Sequence, residues 1–533
     1  MGGTPSWGKL RHVHSTIRGC RLSLIQVPRN WKEFQNGYLV CYAATAGPPC
    51  ATTCAVDKLA YTTPSAGYLE KRGLRRHARV LHLWALGVGA VISGDFFGWN
   101  FGLASGFGGM LAALVIMTLL YVGLCCSIAE MSPALPHTGG AYSFARTAMG
   151  PWGGYITGLA ENMEYILTPA VIVVGVGGYL GAIFGTPPAY APLWWLACYT
   201  IFVAFNIGGV EMSFRVSIII TICALAILVV FYIGAAPLFS LDRWALEGGP
   251  WLPKGWFGIL TALPFALWVY LGIEQLPLAA EEAHDPARDM PKGILLGLVT
   301  LVLCSFLTVI LNAGIPPGAS KVETSTEPLF LGFRAIFGQG MRARLLALFA
   351  CTGLLASFHT IIYAYGRQIY SLSRAGYFPS CLSVTHGSRK TPHRALIAGS
   401  LLGFAAALTI QLAGQNSPVG GVLLNMAVFG AVLAYILQML SFILLRRKFP
   451  GMARPYVSPV GVPGAAIAMI IAAVTLVILF LNRDYNLGVI GAAIWFLCGI
   501  AYFAFYARRR LILSPEEEFA LAQQERLKQG VSV

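Results

Sequence analysis

Residues 80–106 read VLHLWALGVGAVISGDFFGWNFGLASG, and the fold turns on the middle of that stretch. Its first dozen positions are almost all apolar or small, the composition of a helix that crosses a bilayer. Ser93-Gly94-Asp95 then places a flexible glycine and a carboxylate about fifteen residues in, near the membrane midplane at a rise of about 1.5 Å per residue. A second apolar stretch, near 257–283, is broken in the same manner by Trp268-Val269-Tyr270-Leu271-Gly272-Ile273-Glu274. Backbone groups freed by unwinding are tolerated at lipid depth only where a ligand, an ion or cavity water satisfies them. Two such interruptions at corresponding places in two halves mark an inverted repeat with a central site between the halves.

Composition agrees with the bilayer as solvent. Of 533 residues, 56% are hydrophobic and 11% charged, and the mean hydropathy is +0.68, whereas a soluble chain carries about a quarter charged residues. Apolar runs predict about twelve spans by length. The first five lie near 80–104, 107–130, 152–184, 192–209 and 215–239, and the second five near 257–283, 291–315, 341–371, 395–413 and 419–445. A last pair lies near 462–481 and 488–507, so residues 79–510 form one domain: repeat one 80–239, repeat two 257–445, extra helices 462–507.

The net charge of +15 falls mostly on alternate loops, for example Lys71, Arg72, Arg75, Arg76 and Arg79, then Arg446, Arg447 and Lys448. That is the positive-inside pattern of a multi-pass protein of the cytoplasmic (inner or plasma) membrane with both termini cytoplasmic, and it leaves no nucleic-acid role for the basic residues. Residues 1–78 show no periodicity and read as a disordered or non-native leader, with a native start expected near Val56. The segment 511–533 reads as a cytoplasmic tail. Within it Ser514 as cap, Pro515 at the first helical position and acidic residues in the first turn predict a short surface helix. Among the twelve cysteines no disulfide framework or zinc spacing is visible, and Cys50 with Cys54 is a lone CxxxC, so neither metal nor cofactor is expected. There is no HExxH, GxSxG or nucleotide-binding loop, which argues against an enzyme.

Four separated motifs, in order, carry a family resemblance over roughly residues 80–510. Ile92-Ser93-Gly94-Asp95-Phe96-Phe97 resembles the first-helix pattern Ile-Gly-Ser-Gly-Ile-Phe of the amino acid, polyamine and organocation transporter superfamily. Pro136-His137-Thr138-Gly139-Gly140-Ala141-Tyr142 is similar to its element after helix two. Trp268 to Glu274, with Glu281-Glu282 and Asp285-Pro286-Ala287-Arg288, resembles its sixth-helix signature, and Ser373 to Pro379 its segment after helix eight. Within the superfamily, VISGDFFGWNFG (91–102) and AENMEYILTPA (160–170) look like the ethanolamine permease branch. The resemblance implies an all-α membrane protein with a leucine-transporter-like five-plus-five inverted repeat, two extra helices and broken helices 1 and 6, importing its substrate by alternating access.

On that resemblance the substrate site comprises Ser93, Gly94, Asp95, Phe96, Trp268, Tyr270, Gly272, Ile273 and Glu274. Amino-acid members present Gly-Ser-Gly amides to a substrate carboxylate; here Asp95 stands in the last of those places, repelling a carboxylate and attracting an ammonium. The expected substrate is therefore ethanolamine or a related small cationic amine, with an amino-acid or polyamine permease or antiporter as the alternative. Asp95 either pairs with that ammonium or caps the amides freed by the break. Trp268 matches a gating aromatic of related exchangers and can cover a cation with its ring.

Other intramembrane charges need reasons of their own. Glu161 and Glu164 share a helix face and would repel if both were ionised and dry, so they form a hydrated path or proton relay, or a plain inter-helix hydrogen bond. Glu130 closes span two, as a gating residue or as the partner of a loop arginine. His359 interrupts span eight, as a proton-coupling group or as a hydrogen-bonded neutral ring. The coupled ion, a proton or sodium, is left open.

Overall fold

A computed structural model describes residues 13–17, 20–24, 55–56, 59–65, 67–325, 327–338, 340–413, 419–481 and 486–528. Two units divide at Thr52. In the first, β1 (Val13–Ile17) and β2 (Cys20–Leu24) pair antiparallel; most of the remaining leader lies outside the described residues, including Cys50 and Cys54.

The second unit is a helical bundle. Its helices are α1 (Val80–Val91), α2 (Ser93–Phe96), α3 (Phe107–Ala134), α4 (Gly140–Phe184), α5 (Ala191–Gly208), α6 (Val210–Ala235) and α7 (Gly255–Trp268). A 3-10 segment, Ile273–Glu282, continues the line of α7 after a turn. Then come α8 (Pro286–Ala313), α9 (Ala319–Glu323), α10 (Pro328–Phe337), α11 (Met341–Arg374), α12 (His393–Ala413), α13 (Val419–Lys448), α14 (Gly461–Leu481), α15 (Asn486–Phe505) and α16 (Pro515–Lys528). Ten of the helices in the described residues are long and apolar enough to cross a membrane. The bent pair Val80–Phe96 and Trp99–Ser105, at 46°, makes an eleventh. The remaining predicted span coincides with α12, which is apolar over the shorter run His393–Thr409.

The outer faces show what solvent the bundle expects. On α8, Leu296, Val299, Leu303 and Leu307 recur at helical spacing and are all exposed, Leu303 by 60%, and on α6 Ile233 is 72% exposed. An apolar stripe of this length costs nothing in lipid and would aggregate in water. The charged residues buried in the bundle include Asp95, Glu130, Glu161, Glu164, Glu274, Arg367 and Arg374.

Several expectations need correction. Within α4 the chain kinks at Gly150, with φ +84 and ψ −175, so the piece from Pro151 on matches the span expected from 152, and a further helical piece from Gly140 precedes it. Glycine accepts that angle without a Cβ clash, and the apolar pattern before it was too short to read as a span. The chain between 315 and 341 carries α9 and α10, which the apolar count did not foresee. Within the predicted leader, β4 (Leu59–Thr62) pairs with β3 (Ala55–Val56) and with β5 (Leu511–Ile512), burying Tyr61. The helix α16 starts at Pro515 as expected, but Ser514 Oγ makes no hydrogen bond, and the helix is no surface helix, because Glu516, Glu517 and Ala520 are buried. Polar residues read as solvated when their partners, here on α4 and α11, are hundreds of positions away.

Candidate functional site

The two broken spans touch at Gly94. A Cβ there would stand 2.9 Å from both Trp268 O and Val269 Cα, so only glycine lets the two backbones meet. On the other strand of the crossing Gly272 turns the chain at φ +116, the left-handed region that favours glycine. Four backbone groups at the first break are bonded to side chains. The Ser93 N–H donates to Ser357 Oγ (2.9 Å), Tyr179 donates to Phe96 O (3.0 Å), Trp268 Nε1 donates to Phe97 O (3.0 Å), and the Gly98 N–H donates to Asn100 Oδ1 (3.1 Å). Asn100 Nδ2 is held by the carbonyls of Val322, Glu323 and Ser325 at 2.9–3.0 Å. Trp268 is thus bolted across the opening, and Asn100, Tyr179 and Ser357, which sequence reasoning did not select, complete the break. An asparagine just after a break, with no charge partner nearby, was the signal available.

Asp95 stands differently. It is 1% exposed, and neither carboxylate oxygen takes part in a hydrogen bond among the described residues. Thr308 of α8 faces it, with Tyr232 of α6, Cys304 of α8 and Tyr270 within electrostatic reach. Those hydroxyls are already engaged: Tyr232 with Thr308 (2.8 Å), and Tyr270 with Thr118 (2.8 Å) and Ser305 (2.7 Å). Phe96 turns the other way, onto Gly353 of α11, and Ile273 lies beneath Gly297 of α8. Asp95 does not cap the break, since Asn100 already takes the Gly98 amide.

A second acidic group lies between α4, α11, α13 and the 3-10 segment. Glu161 accepts from Gln368 (2.7 Å), Gln438 (3.4 Å) and Tyr165 (3.4 Å). Glu164, one turn on, receives no donor; its neighbour is the carboxyl of Glu274. Glu274 Oε2 accepts the Gly272 N–H (3.0 Å), and its carboxyl faces that of Glu164 and the hydroxyl of Tyr435. The bonded hydroxyls of Tyr121 and Tyr435 (3.0 Å) sit beside them. None of the ion pairs among the described residues includes Glu161, Glu164 or Glu274. Two dry carboxylates in contact hold together only with a proton or a cation between them.

The family model described as "Amino acid permease" matches residues 82–514, nearly the whole of the helical unit. The chain belongs to the amino acid permease family. Among its relatives, an uncharacterized transporter of Rhizobium meliloti (strain 1021) is 30% identical over 453 residues, covering 82% of this chain and 94% of the relative. A branched-chain amino acid permease of Bacillus subtilis (strain 168) is 26% identical, covering 82% and 94%. The methylthioribose transporter of the same bacterium is 24% identical, covering 84% and 96%. The permease is accordingly an all-α integral membrane transporter of the amino acid, polyamine and organocation superfamily.

In this permease the other two selected residues have protein partners. Glu130, at the end of α3, pairs with Arg446 (2.5 Å) and Arg454 (3.1 Å) and accepts the Ser458 N–H (2.7 Å). His359 is enclosed by α5 and α6: its Nδ1 meets Asn206 Nδ2 at 3.1 Å, and its Nε2 faces Ser213 O at 3.0 Å. That pairing suits the neutral ring with its proton on Nε2, Asn206 donating to Nδ1. Ser93, Gly94, Trp268 and Tyr270 are brought together at the crossing, with Asp95 and Glu274 on separate sides of it.

Proposed function

We propose that this permease carries a small cationic amine, ethanolamine or a close relative, into the cell by alternating access, with Asp95 as counter-ion of the ammonium. The observation that carries the reading is the buried carboxylate at the first break, faced by the Thr308 hydroxyl and by no cation among the described residues. A desolvated carboxylate is costly unless a charge or strong donors compensate it, and an ammonium supplies both. The ring of Trp268, fixed to Phe97 O, closes the same opening. The Glu164–Glu274 pair is the candidate for a coupled proton, and the basic loops orient the termini to the cytoplasm. Uptake feeds on the membrane potential in addition, because an imported monocation gains about 2.3 kcal/mol per 100 mV.

The relative named for branched-chain amino acids favours a second reading, an amino-acid permease. Uptake of labelled ethanolamine into proteoliposomes, competed with serine, leucine, arginine and putrescine, separates them. Ethanolamine uptake that excess serine and leucine leave unchanged supports the amine. Displacement by leucine with no ethanolamine uptake overturns it.

A further inference from the structure

The face of the bundle that carries α16 is closed by three arginines and four glutamates. Arg367 and Arg374 project from α11 two turns apart, and the 3-10 segment after the second break ends in Glu281 and Glu282. Arg367 pairs with Glu282 (3.0 Å), which Tyr363 also bonds, and among the described residues no other carboxylate reaches Arg367. Arg374 pairs with Glu281 through both terminal nitrogens (3.0 and 2.5 Å) and, through Nη2, with Glu516 of α16 as well. Its side chain is only 4% exposed. One buried guanidinium therefore has two carboxylates, one from the broken span and one from the tail.

The tail that delivers Glu516 is anchored independently of the broken span. Glu517 receives Arg146 Nε (2.5 Å) and the hydroxyls of Tyr61 (3.0 Å), Tyr142 (2.9 Å) and Tyr377 (3.0 Å). The Ile512 N–H donates to Ala375 O (3.0 Å), the β4 and β5 strands pair in parallel, and Phe519 packs edge-on against His137. Ser371 of α11 donates to Glu516 (3.0 Å). Every one of these partners lies on α4, α11, the segment after α11, the loop before α4 or β4; none lies on the 3-10 segment.

From this arrangement we propose that Glu516 is a positioning residue for transport, a standing counter-ion that keeps Arg374 neutralised while the Glu281 end of the broken span moves away. The inference rests on the alternating-access reading, in which that end separates from α11 to open this face. Breaking a buried ion pair is costly chiefly because it strands the remaining charge. With Glu516 in place the guanidinium is never stranded, and the departing Glu281 meets water, being the more exposed partner at 21%. The tail thus lowers the barrier to opening, where a tail lying across the gate would raise it. Arg367, with one carboxylate, has no such relief.

The test is hydrogen exchange of the 273–283 peptide in full-length permease reconstituted in nanodiscs, read for E516Q, E281Q and the double variant, without added substrate. If Glu516 acts as described, E516Q slows exchange of that peptide by about tenfold or more, since loss of a charge-assisted partner is of that order. E281Q speeds it, and E516Q adds less than twofold on the E281Q background. Three results overturn the inference: exchange in E516Q within twofold of the parent, an equal effect of E516Q whether or not Glu281 is present, or faster exchange at both 273–283 and 511–528, the sign that the tail merely braces the face. Ethanolamine binding by the parent is measured separately, so a wrong substrate and a wrong role for Glu516 give different results.

Discussion

Asp95→Asn separates a counter-ion from a structural carboxylate, because the two roles move stability and affinity in opposite ways. The side chain is isosteric, so packing against α6 and α8 stays as it is. No hydrogen bond of normal geometry among the described residues is lost, and the Thr308 hydroxyl that faces the carboxylate can face the amide equally. Removing an uncompensated buried carboxylate should leave thermal stability equal or higher. The cost falls on binding: a hydrogen bond to a charged group contributes about 1.5–3 kcal/mol, and its loss weakens affinity by about ten- to a hundredfold. The assay is titration calorimetry of ethanolamine against purified parent and variant, with the melting midpoint taken on the same samples. An affinity within about threefold of the parent would refute the counter-ion. A clear fall in melting point with affinity retained would show instead that the carboxylate holds the break together, despite Asn100 occupying the cap.

Four further outcomes follow from the geometry. Glu164→Gln should flatten the pH dependence of uptake, because it removes the carboxylate that meets Glu274, whereas Glu161→Gln should leave the profile in place, its partners being three donors; equal profiles for both variants and the parent would remove the pair from coupling. Trp268→Phe should retain more transport than Trp268→Leu, since both lose the bond to Phe97 O and only Phe keeps a ring over the cation, and equal loss would point to shape alone. His359→Gln should retain proton-driven accumulation within about threefold, because Asn206 and Ser213 already fix the ring as a neutral donor and acceptor; loss of accumulation with substrate binding intact would assign it to coupling. His137, in the loop before α4, is pushed below its ordinary value by burial, so its contribution to stability is present above about pH 6.5 and is lost as pH falls toward the folded-state value. The melting point measured at pH 7.5 and 5.5 should therefore fall less in His137→Asn than in the parent, and an identical fall would exclude this histidine.

Much of the fold was legible because lipid imposes a simple rule. Apolar length located α5 within a residue or two, and α14 equally closely, since each enters and leaves the membrane once. Gly94 and Gly272 marked the breaks because a glycine beside an acid inside an apolar run has few other uses. What stayed hidden was long-range. Asn100 lay inside the first predicted span and was not singled out, because its worth comes from three carbonyls more than two hundred positions away. Glu130 read as an interfacial acid, while which arginines answer it was not in the local pattern. Glu516 and Glu517 resembled the polar face of a surface helix, because charge pattern says nothing about an arginine on another helix. Glu161 and Glu164 were read as a pair by spacing, yet the structure pairs Glu164 with Glu274 across helices and leaves Glu161 to two glutamines and a tyrosine.

The binding of Glu517 to Arg146 sets an order on biosynthesis. The two residues are 371 positions apart, and at about 5–20 residues per second roughly 20–75 seconds pass between the synthesis of one and that of the other. During that interval α4 is already inserted with Arg146, Tyr142 and their neighbours facing no carboxylate from the tail. The nascent bundle therefore holds a basic, incompletely packed patch until Glu517 leaves the ribosome. A chain that stops before Glu516 keeps every span among the described residues and remains in that unfinished state, so a quality-control protease at this face would meet a difference between copies with and without Glu516 that the membrane itself cannot sense.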